Sequence, residues 1–351
     1  MKIAIVKTAG LGDVLRTTML LPALKRLGGG VEITWITAPD ATLMLVHNPY
    51  LDRVALVTDL PTAPWRFDKY DWVLSLDESI ETAIQAQSLS AVRFTGVYTS
   101  GVECLHYTAD VSDWFRMGLL RPGSADGLVA ANELKRRNTA TFGSILYKCL
   151  DLPFPVSRPQ IFIPSEYLKT ARAWISNSRI SRCAHIVGLN SGAGPRWQLK
   201  KLDEQKSSYL AGELVNQLGT GVILLGGEAE YQRNKRIEET TALPIVTTGP
   251  SEWDLLHFSA LVSLCDLLIT TDSLALHIGI ATGVRTISFF GPTSSEEVDV
   301  FENGTKIVTD LSCRCCYLAT CDKSPNCMDS IAVSELIDKA RMSLKQCSSR
   351  E

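Results

Sequence analysis

Three charged side chains in this sequence stand where chemistry is commonly done. Asp13 lies in KTAGLGDVLRTT (7–18), directly after the first apolar stretch; Lys200 lies in GLNSGAGPRWQLKK (188–201); Asp272 lies in TTDSLALHIGIATG (270–283). An aspartate at a helix start can cap it, and an aspartate facing a bound hydroxyl can take its proton. The residues around Asp13 leave both readings open. Gly10 and Gly12 would let a ligand approach the backbone. Lys7 and Arg16 flank the same turn and suit a phosphate or carboxylate.

The 188–201 loop is polar and glycine-rich. The N–H groups of Asn190, Ser191, Gly192 and Gly194 suit phosphate oxygens, and Arg196, Lys200 and Lys201 follow within reach. A cation beside such a nest neutralises the charge on a departing diphosphate. The bland alternative is a polar loop with solvated bases. It is not a Walker loop, because G-x-x-x-x-G-K-[ST] is absent. GGEAE (226–230) sets Glu228 at a strand end, either against a ribose diol or opposing a helix dipole. Asp272 and Ser273 end the next motif-bearing strand as a helix begins, and His277 follows one turn later, as a ligand contact or a packing residue. FFGPTSSEE (289–297) adds Gly291, Thr293 and Ser294. No D-x-D triplet occurs in the chain, so a metal-bridged diphosphate has no support and the charge falls to Lys, Arg and helix N-termini.

Cys313, Cys316, Cys321 and Cys327 are separated by two, four and five residues, with Cys315 between the first two. Two readings compete: a structural zinc or iron site, or reduced thiols used for packing. A redox C-x-x-C lacks its thioredoxin-like context. Cys104, Cys149, Cys183, Cys265 and Cys347 are scattered and read as core or surface residues.

The elements that must hold these residues follow from hydropathy. Strands are expected at 2–8, 31–37, 53–57, 71–77 and 93–98, and again at 185–191, 221–227, 244–249, 266–272 and 286–291, with helical stretches between. Near-continuous apolar strands alternating with helices imply parallel sheets covered on both faces. The first helix, 13–27, should stop at Gly28-Gly29-Gly30. LDLPFPVSRPQIFIP (150–164) holds four prolines and reads as a linker. The expected organisation is a first domain over 1–160, a second over 161–328, and a terminal helix and tail over 329–351. Ligands in open α/β sheets bind beyond the carboxyl ends of the strands, and the motifs fall there, which suggests a cleft between two domains.

Length and composition agree. The chain has 351 residues, 45% hydrophobic and 21% charged, with a net charge of -3, as in a two-domain globular protein with no basic field to draw nucleic acid. Met1 leads straight into a strand, and no run approaches the ~20 apolar residues that span a bilayer. A cytoplasmic protein is expected, in which local basic clusters remain able to touch the inner membrane face.

Taken in order, GLGDVLRTTMLLPALK (10–25), YDWVLSLD (70–77), GLNSGAGPRW with KK (188–201), TDSLALHIGIATG (271–283) and FFGPTSSEEVD (289–299) resemble glycosyltransferase family 9, the lipopolysaccharide heptosyltransferases and their relatives. The cysteine segment CRCCYLATCDKSPNCM (313–328) is similar to a tail found in part of that family. The resemblance implies an α/β GT-B fold of two Rossmann-like doubly wound domains facing a central cleft, acceptor side first and nucleotide-sugar side second. It implies metal-independent, inverting transfer of a sugar, typically a heptose from ADP-heptose, onto a hydroxyl of a lipopolysaccharide-core or other glycan. In that reading Asp13 is the general base, Lys200 binds the phosphate and Asp272 contacts the donor. Lys7, Gly10, Gly12 and Arg16 would then serve the acceptor. Leu202 stands where the family often has tryptophan, and Ala275 where it has glycine. Two other readings keep the fold: an epimerase-like nucleotide-sugar enzyme, and a non-catalytic nucleotide-sugar-binding protein. A dinucleotide oxidoreductase is disfavoured, since G-x-G-x-x-G does not follow the first strand.

Overall fold

The structure is a computed structural model that describes residues 1–101, 104–118, 125–194, 197–249, 253–318 and 320–348. The chain divides into two compact units, Met1–Phe162 with Glu296–Asp299, and Ile163–Ser295 with Val300–Glu351. The division falls inside the proline-rich segment, whose residues 152–164 join neither a helix nor a strand.

Unit 1 is built on β1 (Lys2–Val6), β2 (Glu32–Thr37), β3 (Arg53–Leu56), β4 (Lys69–Ser75), β5 (Ser90–Thr99) and β6 (Leu105–Tyr107), in the order β3-β2-β1-β4-β5-β6. The first five strands pair in parallel and β6 closes the edge antiparallel to β5. Ile3, Ala4, Ile5 and Val6 are all fully buried, as a central parallel strand requires. The helical run after β1 is not one helix. It is α-helical over Leu11–Thr17, tightens to a 3-10 turn over Thr18–Leu20 and resumes over Leu21–Lys25. Pro22 is the cause: it lacks an N–H, and its ring would meet the carbonyl of Thr18 in a regular helix.

Unit 2 repeats the plan with β7 (Ile186–Asn190), β8 (Gly221–Leu224), β9 (Ile245–Thr247), β10 (Leu267–Thr271), β11 (Arg285–Phe290) and β12 (Gly304–Val308). All pair in parallel, in the order β9-β8-β7-β10-β11-β12. Each unit therefore has the doubly wound 3-2-1-4-5-6 strand order. The helix Val333–Ser348 is no separate tail. Its Leu336, Ile337, Ala340 and Leu344 join the core formed by Val187, Leu224, Ile269 and Phe289. The sixth strand of each unit adds to the five that hydropathy predicts. β6 has three residues, and β12 is a half-buried edge strand carrying Lys306, so neither shows a long apolar run. Among the described residues no helix is long and apolar enough to cross a membrane.

Candidate active site

In unit 1 the candidates gather beyond the carboxyl ends of β1 and β4, the neighbours between which the strand order reverses. Such a switch point is where open α/β sheets receive ligands. Asp77, two residues past β4, is buried. Its Oδ1 accepts from Lys7 Nζ at 2.7 Å, and its Oδ2 accepts from the backbone N–H and the hydroxyl of Thr8 at 2.5 and 2.6 Å. A buried carboxylate needs a counter-charge and hydrogen bonds. Lys7, expected to meet an anionic ligand group, supplies that charge and is committed to Asp77. The indole N–H of buried Trp35 donates to the Lys7 carbonyl at 3.1 Å and fixes the other side of the turn.

The turn leads to Gly10, the N-cap of the Leu11–Thr17 helix, at φ 72°. Glycine suits the left-handed backbone there, and a Cβ would stand 2.6 Å from Asp13 Oδ2 and push that carboxylate aside. Asp13 is thus not the cap residue. It is the third helical residue, where a carboxylate opposes the helix dipole, and its side chain is 46% exposed. Gly12, between them, is half-buried. Asp13 Oδ1 lies 2.8 Å from Arg16 Nη2. The Arg16 guanidinium in turn sits 4.0 Å from the ring centre of Phe142 and 5.3 Å from that of Trp114, and those two rings meet edge to face at 4.7 Å. The aromatic clamp orients Arg16, and Arg16 orients the carboxylate of Asp13.

Unit 2 gathers its candidates at the equivalent switch point, between β7 and β10. Asn190 ends β7, and its Nδ2 donates across the junction to Thr270 Oγ1 at 3.1 Å and to Ser273 Oγ at 2.7 Å. Ser273 is the N-cap of the Leu274–Thr282 helix, with extended backbone. Lys200 comes from a short 3-10 turn, Gln198–Lys200. Its Nζ donates to Asp272 Oδ2 at 2.7 Å, and Thr293 Oγ1 donates to the same oxygen at 2.8 Å. Side-chain exposures of 11% for Lys200 and 18% for Asp272 make this a partly buried pair. Burial opposes ionisation of Asp272. The charges of Lys200 and His277, with the hydrogen bonds from Lys200 and Thr293, outweigh it and hold the carboxyl well below the usual range. His277 itself is buried on the helix.

The glycine-rich loop is shaped by Glu230. Glu230, the third residue of the Glu228–Glu239 helix, is buried. Its Oε1 accepts from the Gly194 N–H at 3.1 Å and faces Lys201 Nζ at 3.7 Å, and its Oε2 accepts from the Gly227 N–H at 3.3 Å. A Cβ on Gly192 would lie 2.3 Å from the Glu230 side chain, so any side chain there would force Glu230 out of its place. Ser191 is held by Ser207 and by Arg233, whose guanidinium donates at 3.0 Å. Glu228 is exposed at the first helical position, the place of a carboxylate opposing the helix dipole. Arg196 lies outside the described residues. A recess of about 360 Å³ opens beside Lys201, Glu230 and Arg233; Lys200 and Asp272 do not line it.

Gly291 and Thr293 lie in the turn after β11, and the cysteine segment returns to that turn. A Cβ on Gly291 would stand 2.5 Å from Cys327 Sγ. Burial and neighbouring Cys316, Cys321 and Cys313 push the Cys327 thiol up to about 11. Among the described residues no three or more His, Cys, Asp or Glu side chains are grouped as around a metal ion, so Cys313, Cys316, Cys321 and Cys327, the ligand set of the metal reading, are not drawn together as one site.

Asp77, Glu230 and Arg233 are the site residues missed from sequence. Asp77 ends a strand-like run in the same way as Asp272, and the G-x-x-E spacing of Gly227 and Glu230 is half of a capping box. Arg233 carries no local signal.

The profile of glycosyltransferase family 9 (heptosyltransferase) matches residues 136–325. Lipooligosaccharide heptosyltransferase 2 of Campylobacter jejuni is 34% identical over 171 residues, 46% of this chain and 51% of that protein, so the chain spans about half the length of this curated relative. The solved family 9 glycosyltransferase of Veillonella parvula superposes with a TM-score of 0.72 at 18% identity, covering 98% of this chain and 97% of its own. Escherichia coli ADP-heptose lipopolysaccharide heptosyltransferase II gives 0.70 at 17%, covering 99% and 100%. Both structural likenesses bear on the fold, and they agree with the two doubly wound sheets.

Proposed function

The chain belongs to glycosyltransferase family 9 (heptosyltransferase), and from that premise we propose that it transfers a heptose from ADP-heptose to a hydroxyl of a lipopolysaccharide-core glycan, with inversion. Asp13 takes the proton of the acceptor hydroxyl. That oxygen attacks the anomeric carbon from the face opposite the diphosphate, the anomeric C–O bond breaks, and ADP leaves with the bonding electrons. Arg16 keeps the Asp13 carboxylate oriented toward the acceptor. In unit 2, Lys200 neutralises charge on the leaving diphosphate, and the N–H groups of residues 191–193 and of the Ser273 helix N-terminus receive its oxygens, the Gly194 N–H being held by Glu230. Asp272 and Thr293 hold Lys200 in place. The names of the C. jejuni and E. coli relatives, a lipooligosaccharide heptosyltransferase and an ADP-heptose lipopolysaccharide heptosyltransferase, support the heptose donor and the lipopolysaccharide-type acceptor.

The observation that carries this reading is the convergence of Lys200, Thr293 and Asp272, at 2.7 and 2.8 Å, beside a glycine-rich turn at the switch point of unit 2. Calorimetry with ADP, UDP and GDP, then product analysis with ADP-heptose and a purified core acceptor, tests it. ADP should bind most tightly and its affinity should fall in Lys200→Ala. Failure of every nucleoside diphosphate to bind would overturn the donor site; binding without turnover would leave a non-catalytic binding protein.

A further inference from the structure

The cysteine-rich segment takes no part in the proposed chemistry, yet it is bonded to the turn that does. The Cys315 N–H donates to the Gly291 carbonyl at 3.0 Å, and the Tyr317 N–H donates to the Pro292 carbonyl at 2.8 Å. The Tyr317 hydroxyl then accepts from the Ser294 N–H at 3.1 Å. Tyr317 thus grips the residue on each side of Thr293, whose own hydroxyl donates to Asp272. Cys315 and Tyr317 both adopt left-handed backbone, at φ 59° and 55°. Residues other than glycine hold that conformation only where surrounding structure imposes it, and such strain gathers at functional sites. From the other side, Cys327 and Met328 pack so closely over Gly291 that a Cβ there would lie 2.5 Å from each. Ser294 is buried, so its N–H has no solvent to replace the Tyr317 oxygen.

We propose that Tyr317 is a positioning residue for the nucleotide-sugar site: by bracketing Thr293 it sets the hydroxyl that aligns Asp272, and through Asp272 the ammonium of Lys200. The inference rests on reading Lys200, Asp272 and Thr293 as the diphosphate site. It gives the segment a function independent of any metal, as a clasp closing the turn after β11.

A double-mutant cycle on the full chain tests it. Tyr317→Phe keeps the ring and the main-chain bond but removes the acceptor for the Ser294 N–H. ADP dissociation constant and donor KM should rise about fivefold, the ratio expected for one net hydrogen bond, while kcat at saturating donor stays within about twofold and the melting temperature is little changed. Thr293→Val should raise the same constants by itself. The double variant should then match Thr293→Val, because the two residues act through one hydroxyl. Additive losses, or a general fall in kcat and melting temperature without the rise in KM, would mark Tyr317 as a structural support only. Unchanged ADP affinity in Tyr317→Phe beside a weakened Thr293→Val would overturn the clasp and leave the diphosphate site standing. Unchanged affinity in Thr293→Val would overturn both.

Discussion

Replacing Lys200 with alanine should damage the protein in two separable ways. The ammonium stands 2.7 Å from Asp272 Oδ2 in a site where both side chains are less than a fifth exposed, at 11% and 18%. Removing one partner of such a pair leaves a charge without its counter-ion, at a cost of about 3–5 kcal/mol in a well-buried site. Thr293 and His277 remain as partners of Asp272, which places the expected loss near the lower end, about 3 kcal/mol. For a unit of this size that is a fall of about 6–12 °C in melting temperature. The loss should depend on pH. In the wild type Asp272 is ionised far below the usual carboxylate range, so the pair adds its stability above about pH 4 and loses it as pH falls through the lowered value. In Lys200→Ala burial dominates and the carboxyl rises, so the gap between variant and wild type should be widest near neutrality and narrow on acidification. Asp272→Asn added to Lys200→Ala removes the stranded charge and should recover most of the stability. It should recover none of the ADP affinity, which falls about 10–100-fold with the loss of one charge-assisted contact. Thermal melts across pH with parallel calorimetry read both effects. A Lys200→Ala protein as stable as wild type at neutral pH, or a double variant weaker than either single, would refute the argument.

Three further outcomes follow. Asp13→Asn preserves shape and removes the proton acceptor, so turnover should drop about 10²–10⁴-fold with ADP affinity unchanged; near-normal turnover in folded protein would reduce Asp13 to a helix-dipole partner. Transfer should persist in EDTA, since the chain has no D-x-D and the proposed site meets the leaving charge with Lys200 and backbone N–H groups; loss reversed by magnesium or manganese would contradict this, and zinc and iron assayed on the same sample separate a structural metal site in the cysteine segment, near one equivalent, from packed thiols, below about a tenth. Asp77→Ala should cost about 3–5 kcal/mol in chemical denaturation, because Lys7 is left buried without its counter-charge; a near-neutral variant would mean that the turn after β1 is held by Trp35 alone.

Much of this protein is written in short-range signals. Apolar runs such as KIAIV and LLITT announce buried parallel strands, and the glycines that follow them announce turns where ligands can approach. Strand, turn and helix start lie within a dozen residues, so local sterics and hydropathy place Asp13 in the first helical turn after β1 and Asp272 at the end of β10 without knowledge of the rest of the chain. Partnership is another matter. Asp77 meets Lys7 across 70 residues because β4 lies beside β1, and Lys200 meets Asp272 across 72 because β10 lies beside β7. Tyr317 reaches the turn at Pro292 and Ser294 only because the cysteine segment doubles back over Gly291. Glu230 rather than Glu228 shapes the glycine-rich loop because the helix turns the former inward and the latter to solvent. Composition and spacing determine which residues are available for chemistry. Sheet order and helix phase decide which charges neutralise one another inside the fold and which are turned outward, because a carboxylate's state depends on the partners within a few ångströms and not on its neighbours in sequence.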